Sequence, residues 1–595
     1  MPLKAKPAAT ALIAIGILLV AGRAFSAAPA AGVAISKNGV NVWVPQKKFQ
    51  GDFAVLQRTD WQTLSADARP RSFRGEPVIA AASVLGTFDS QKGCVVLYTR
   101  TGDHLEKRAI VQPYPGQRAV DYRLRNDDEK ARLGIEVLSG RNRLEYTLYL
   151  DKDGIIEFKP ARVQGLTIAE SGMKYGIVPS FIGTDFVYDP RQYTGKDRLY
   201  IPSMNLYTGL VRGGNCMMVG VWPPGEQVVS LNLKEISGER IIDGLSLEFA
   251  KKSFYLTLLE HPDLWHAEAL KDTYLETDTA IGWKRPFPAL WIGRFFIESE
   301  GIHFPFYFQS EKTKIWGRCI RGWFGYPFWF DGDKTFVHFE KKFPPKGEML
   351  IYFLEREKEA GEIGSPVEVM QKALGAPLAA KFLDFDGIEL RPLLEHHNAV
   401  CAMSDKLQTI FDGGNEMKEK KQVAQYAADI AAFIRMIRER IFEYADFARE
   451  MKEFLSTRTQ AAPDLAAPLQ GIRQTLDEML QLRENDMPTA SLDDVREWTD
   501  QIKKLANEVR PENGKQIKVL TMDCRKVAGA QDDLDRALSI LTIRLTEEAA
   551  EFGIESPKRV KVAEAIIARA RQVLRCPTWW EPYRCHSPKP NPGAP

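Results

Sequence analysis

"RLEYTLYLDKDGIIEF", residues 143–158, decides the fold of the first half of the chain. Apolar and polar residues alternate on both sides of a break, Asp151-Lys152-Asp153-Gly154. A period of two suits a half-buried strand, because successive side chains point to opposite faces. Asp and Gly in the break supply the turn chemistry that joins antiparallel strands. The segment therefore reads as a β-hairpin. The same break resembles part of a calcium loop. It lacks the third acidic position and the closing bidentate glutamate, so it is kept as a turn.

Working outward, "CVVLYT" (94–99), "CMMVGVW" (216–222), "SFYLTLLE" (253–260) and "MLIYFLE" (349–355) show the same strand character. Asp331-Gly332-Asp333-Lys334 repeats the hairpin signal between Trp329-Phe330 and "TFVHF". Helical patterns are few here, 263–273 being the main one. Residues 28–360 are thus expected to be all-β, a large or doubled antiparallel β-sandwich, with two sub-domains allowed by its length.

Beyond residue 366 the period switches. Val423, Ala427, Ile430, Ile434, Ile437, Ile441, Tyr444, Ala448, Met451 and Leu455 follow steps of three and four, a heptad seam. A second seam runs from Ile517 through Leu520, Cys524 and Val527 to Leu534, Leu538, Leu541 and Leu545. Ser556-Pro557 reads as an N-cap with proline in the first turn of a last helix. Several such helices follow one another in one chain, so residues 366–575 are expected to be an all-α antiparallel helical bundle rather than an intermolecular coiled coil. The whole is an α+β multidomain chain.

The N-terminus carries Lys4 and Lys6, an apolar run from Ala11 to Ala21, and small residues around Ser26. That run is too short to span a bilayer and reads as a cleaved secretory signal peptide over residues 1–27. The expected location is periplasmic or secreted, with no stable membrane insertion after cleavage. The full chain is +2. Loss of Lys4, Lys6 and Arg23 takes it to −1, which leaves no electrostatic footprint for nucleic acid. Of seven cysteines, only Cys576 and Cys585 are close in sequence, and export permits a disulfide between them. Cys94, Cys216, Cys319, Cys401 and Cys524 read as buried small residues, and the odd count leaves a thiol over. Residues 576–595 form the Cys-bounded loop and a proline-rich tail expected to be disordered.

Common catalytic and cofactor signatures are missing: there is no GxxxxGK[ST], GxGxxG, HExxH or GxSxG. No cofactor and no metal site are expected. His397 and Cys401 share a helix face, but two ligands do not make a site. His261 and His266, with Glu268, are spaced awkwardly for one helix face and read as structural.

The densest chemistry is aromatic. Residues 283–330 hold five Trp, nine Phe and two Tyr, with seven Lys or Arg against three acids. A sandwich core absorbs many rings but not three consecutive ones, Phe328, Trp329 and Phe330, which must point to both faces of a strand. Alternation puts Trp316, Arg318 and Ile320 on one face and Cys319, Arg321 and Trp323 on the other. Indoles beside guanidinium groups suit sugars, whose apolar ring faces stack on the indole while charged forks bind hydroxyls. Trp316, Arg318, Arg321, Trp323, Tyr326 and Trp329 are therefore candidate ligand-binding residues. A second cluster, 183–200, adds Asp185, Tyr188, Asp189, Arg191 and Tyr193 on what reads as a long loop. No residue pattern selects catalytic groups among these carboxylates and tyrosines.

Two functions are carried forward. In one, an exported protein binds or processes a polysaccharide or oligosaccharide through the aromatic, arginine-rich face. In the other, an envelope scaffold without enzymatic activity uses the aromatic cluster as core and the helical bundle as the surface for a protein partner. The layout resembles sandwich-containing polysaccharide lyases and mutarotase-like proteins in architecture alone. No motif matches either, so no catalytic residue is carried over.

Overall fold

The computed structural model describes residues 40–375, 444–485 and 537–573, with internal gaps. Residues 1–27 and 576–595 lie outside the described residues. So do His396, His397, Cys401, Trp323, Cys576, Cys585 and the heptad positions before 444.

The hairpin at 143–158 forms as its pattern requires. Strands Asn142–Asp151 and Ile156–Pro160 pair antiparallel, with Leu150 opposite Ile156 and Leu148 opposite Phe158. The Asp151 carboxylate accepts the amides of Asp153 and Ile155 at 3.0 and 2.8 Å. Gly154 takes φ 80°, a conformation that favours glycine. These four strand residues join Phe254, Leu256 and Trp222 in one apolar core, where Phe254 stacks between Phe158 and Trp222 at 6.4 and 6.2 Å. Each fully buried ring or aliphatic group there contributes about 1.5–3 kcal/mol.

The N-terminal part is largely antiparallel β-sheet, with a few helices toward the C-terminus. Among the described residues, nineteen hydrogen-bonded strands lie within 41–260. Two four-stranded sheets follow. One runs His266–Ala269, Glu348–Arg356, Trp291–Ile297, Ile302–Phe308, and the other Thr279–Ile281, Lys334–Val337, Phe324–Asp331, Lys314–Arg321, in spatial order. Leu350, Tyr352 and Leu354 of the first pack against Tyr175, Leu210, Met217 and Val219 of the large sheet, which closes a second core. The helical expectation for 263–273 is corrected here. Residues 266–269 are a strand paired with 348–351, and 272–274 are a single 3-10 turn. Backbone pairing to a neighbouring strand overrode the local pattern.

Helix α1, Pro366–Leu374, starts at a capping box in which Ser365 and Glu368 exchange backbone bonds. Glu368 also binds Arg356 at 2.7 Å, and Val367, Val369 and Met370 sit in the second core. Helix α1 thus belongs with the strands. Four more described helices follow: α2 (444–461), α3 (Gln470–Asn485), α4 (540–553) and α5 (Pro557–Val573). Lys452 pairs with Asp477 across α2 and α3. Arg544 binds Glu478 at 3.0 Å and Glu548 accepts from Thr475 at 2.8 Å across α3 and α4, and Arg569 binds Glu450 at 2.6 Å across α5 and α2. Tyr444, Ala448, Met451, Leu455, Leu538, Leu541 and Leu545 are buried, as the seams require. Cys94 and Cys216 are buried, and burial pushes the Cys216 thiol up to about 12.

Candidate functional site

The aromatic segment is divided between the two small sheets: strands 291–297 and 302–308 lie in one, and strands 314–321 and 324–331 in the other. Trp316 pairs with Trp329 in the ladder of strands 314–321 and 324–331, and Trp329 pairs with Phe336 in the next. Phe336 in turn pairs with Ala280. Four consecutive strands therefore present residues 316, 329, 336 and 280 in one row. Which side of the sheet this row occupies follows from burial. Thr335, Val337 and Ile281, one step out of phase, are buried, while Lys334, Asp331 and Ala280 are exposed and Trp329 and Phe336 are half-buried. The row lies on the outer side. Trp329 and Phe336 stack flat on it, with ring centroids 5.4 Å apart and planes 9° apart.

Arg318 sits on the strand two residues from 316, in register with Pro327. Tyr326 pairs with Cys319 and Arg321 with Phe324, on the alternate phase. At one end of the outer row, His338 Nδ1 lies 2.9 Å from Asp278 Oδ1. Phe336, His338 and Asp278 were missed by the sequence reading. Continuing the period of two across the Asp331–Lys334 turn would have added Phe336 to the Trp329 face.

The 183–200 cluster serves a different purpose. It is not a loop: it contains strand Phe186–Tyr188, a 3-10 turn at 190–192 and strand Arg198–Ile201. Asp185 is buried and accepts the Tyr352 hydroxyl at 2.7 Å. Asp189 caps the 3-10 turn and binds Arg191 at 2.5 Å, and Arg191 reaches Glu348 at 2.7 Å. Glu348 also accepts from Tyr175 and, at 2.9 Å, from Lys174. Burial alone would raise the Glu348 carboxyl, but these donors hold it below its usual range. Tyr193 is buried and donates to Glu551 of α4 at 2.6 Å, Lys196 pairs with Glu555, and the Tyr200 amide donates to the Ile554 carbonyl at 3.1 Å. Tyr188 is buried behind them, its hydroxyl without a hydrogen-bond partner. These residues form a seat for the turn between α4 and α5.

That seat titrates. Burial, with Glu548 and Glu551 close by, raises the Glu547 carboxyl from 4.5 to about 7. A carboxyl raised on folding holds its proton more tightly in the native state. The stability it contributes is complete below pH 4.5 and is lost as pH rises through about 7. Glu547→Gln is therefore expected to stabilise the protein at pH 8 by about 2 kcal/mol and to change little at pH 4.5. Urea midpoints at the two pH values check this. Equal shifts at both would mean that Glu547 ionises freely.

A second open feature lies where strand 266–269 meets the large sheet. Lys174, Arg212, Gly213, Gly214, Glu239, Asp263, Trp265 and His266 line a groove of about 330 Å³. His266 Nε2 lies 2.7 Å from Glu268, which also accepts the Tyr274 hydroxyl at 2.8 Å and the Gly282 amide. Burial opposes ionisation of Glu268, yet these bonds hold its carboxyl below the usual range. Burial and Glu268 push Tyr274 up to about 12. Trp265 is buried, with its indole N–H on the Val211 carbonyl at 2.9 Å, so it serves as a wall rather than a platform. Among the described residues no three His, Cys, Asp or Glu side chains converge as a metal site, and no helix is long and apolar enough to cross a membrane. No protein-family model and no curated protein matches this chain.

Proposed function

We propose that the protein is exported to the periplasm or exterior and binds carbohydrate through the outer face of the sheet formed by residues 279–281, 314–321, 324–331 and 334–337. The observation that carries this reading is the flat Trp329–Phe336 stack on the solvent side of that sheet. The two parallel, stacked rings offer an apolar surface against which the axial C–H face of a pyranose can pack. The charged positions around them, Lys334, Asp331 and the His338–Asp278 pair, supply partners for ring hydroxyls. In this reading residues 28–360 are a large β-sandwich assembly against which α1 packs, and the helices between α1 and residue 575 complete an antiparallel bundle along their heptad seams. A reaction type is not assigned.

The test is calorimetric titration of the mature protein with a panel of cell-wall and storage polysaccharides. Trp329→Ala is expected to weaken binding by about 10- to 100-fold, the loss of one stacked ring worth about 1.5–3 kcal/mol. Failure of every glycan to bind would end the proposal.

The seat of Tyr193, Lys196 and Tyr200 favours a second reading, a scaffold whose helices present a surface to a protein partner. It assigns the cluster at 183–200 to holding α4 and α5 rather than to a ligand. A chain lacking residues 537–575 that stayed soluble, folded and monomeric would count against it.

A further inference from the structure

We infer that the groove beside His266 is a second subsite for the same ligand, and that this ligand is a neutral oligosaccharide rather than a uronate-bearing one. The inference rests on the carbohydrate reading of the Trp329–Phe336 face and adds the ligand's path and charge class.

The path comes from one strand. Ala280 lies beside Phe336 in the row of rings, and Gly282 is two residues further along the same strand direction. Residues 278, 280, 282 and 284 are exposed, whereas Ile281 and Trp283 are buried. Gly282 therefore continues the outer face toward the groove. A Cβ on Gly282 would lie 3.8 Å from His266 and 3.9 Å from Glu268, so this face of residue 282 looks directly at the His266–Glu268 pair. With strands spaced about 4.8 Å apart and side chains on one face repeating every ~6.8 Å, the rings and the groove are separated by a span that one extended oligosaccharide covers. Glycine leaves the crossing bare.

The charge class comes from the lining. Both fixed cations of the groove already face a carboxylate, Lys174 with Glu348 at 2.9 Å and Arg212 with Glu239 at 3.1 Å, and the His266 imidazole lies 2.7 Å from Glu268. Asp263 adds a further acid. Among the described residues of the lining no cation is left in excess to neutralise a sugar carboxylate, and a uronate would meet four acids around it, Glu239, Asp263, Glu268 and Glu348. A neutral sugar fits the alternation. Each hydroxyl both donates and accepts, so it can bridge a cation and its adjacent carboxylate. The seat of the groove is stiff, because Glu268 is fixed by three donors and Trp265 by the Val211 carbonyl, and a pre-set polar lining limits the ordering cost on binding.

The experiment uses the full mature chain and a ladder of neutral β-glucan and xylan oligomers, from disaccharide to hexasaccharide, with oligogalacturonates as the acidic arm. Hexasaccharides are expected to bind roughly tenfold tighter than disaccharides, the yield of two or three extra hydrogen bonds. Gly282→Trp, which fills the crossing against the His266–Glu268 pair and leaves the Trp329–Phe336 rings in place, should reduce the hexasaccharide to the disaccharide's affinity. The charge-neutral double variant Arg212→Ala/Glu239→Ala, both exposed, should do the same. Neither should alter disaccharide binding, which Trp329→Ala should weaken. Affinity that does not rise with length, a length dependence untouched by both variants, or tighter binding of oligogalacturonates than of neutral oligomers would overturn the inference while the ring face stands. Absence of binding by every oligomer would instead remove the carbohydrate reading on which it rests.

Discussion

Arg108→Ala is expected to lower folding stability by about 3–5 kcal/mol, the usual cost of stranding one partner of a buried ion pair. Arg108 and Glu260 are 2% and 6% exposed and 3.3 Å apart. The guanidinium also donates to Thr99 at 2.7 Å and binds the exposed Glu106 at 2.8 Å. Its inward direction has a backbone cause. In the ladder between strands Cys94–Thr101 and His104–Gln112, Leu97 pairs with Ala109 and Tyr98 with Lys107, so Arg108 is an extra residue, a β-bulge. A bulge breaks the two-residue alternation, and Arg108 and Ala109 both turn inward. Truncation leaves the Glu260 carboxylate buried without its cation. Arg108→Met combined with Glu260→Leu removes both charges at similar volume and is expected to fall within about 1 kcal/mol of the parent. Urea denaturation of the two variants separates the cases. A single variant costing under 1 kcal/mol would mean that water reaches the pair.

Gly244→Ala is expected to cost about 3 kcal/mol or more, at the upper end of overpacking. A Cβ on Gly244 would sit 1.8 Å from the Ile168 carbonyl oxygen and 2.6 Å from its carbon. The obstacle is backbone, which cannot rotate aside as a side chain does. Here too a bulge sets the geometry. Asn232 pairs with Gly244 and Leu233 with Ile242, leaving Asp243 unmatched, and its carbonyl accepts both the Ser171 amide and hydroxyl at 2.8 and 2.7 Å. Three strands, 165–169, 228–236 and 239–248, are drawn together at that point. Gly134→Ala serves as the control, because its nearest neighbour would be the Arg123 carbonyl at 3.8 Å. That variant is expected to be neutral or to gain about 0.5 kcal/mol from reduced backbone freedom. Thermal unfolding of both variants measures the contrast. Similar midpoints would show that the strands at 168 and 244 can move apart.

Regular features were legible in the sequence because period and turn chemistry are local. The hairpin at 143–158, the turn at 331–334, the Ser556 cap and the buried heptad positions of the described helices each depend on residues within one or two turns of chain. Features set by long-range pairing were not legible. Residues 266–269 pair with a strand 79 to 85 positions away, and the bulges at Arg108 and Asp243 leave no mark in the alternation. The aromatic question was half legible. Alternation gives the phase of Trp329, but which phase faces water depends on what packs beneath Val337 and Ile281. The cluster at 183–200 misled because its Asp, Arg and Tyr residues have the composition of a binding loop. They are consumed by contacts with Tyr352, Glu348 and Glu551, none of them near in sequence. His266 and Glu268 were set aside for helical spacing; on a strand, two residues apart, they share a face and meet.

The bond from the Tyr200 amide to the Ile554 carbonyl reaches beyond local stability. Strand Arg198–Ile201 is hydrogen-bonded to 228–236 along one side. Along its other side the corner joining α4 and α5 takes up a donor that would otherwise be open to a foreign strand. The turn between α4 and α5 thus occupies a backbone donor on the outer edge of this strand, and a nick or truncation after residue 536 would leave that donor exposed.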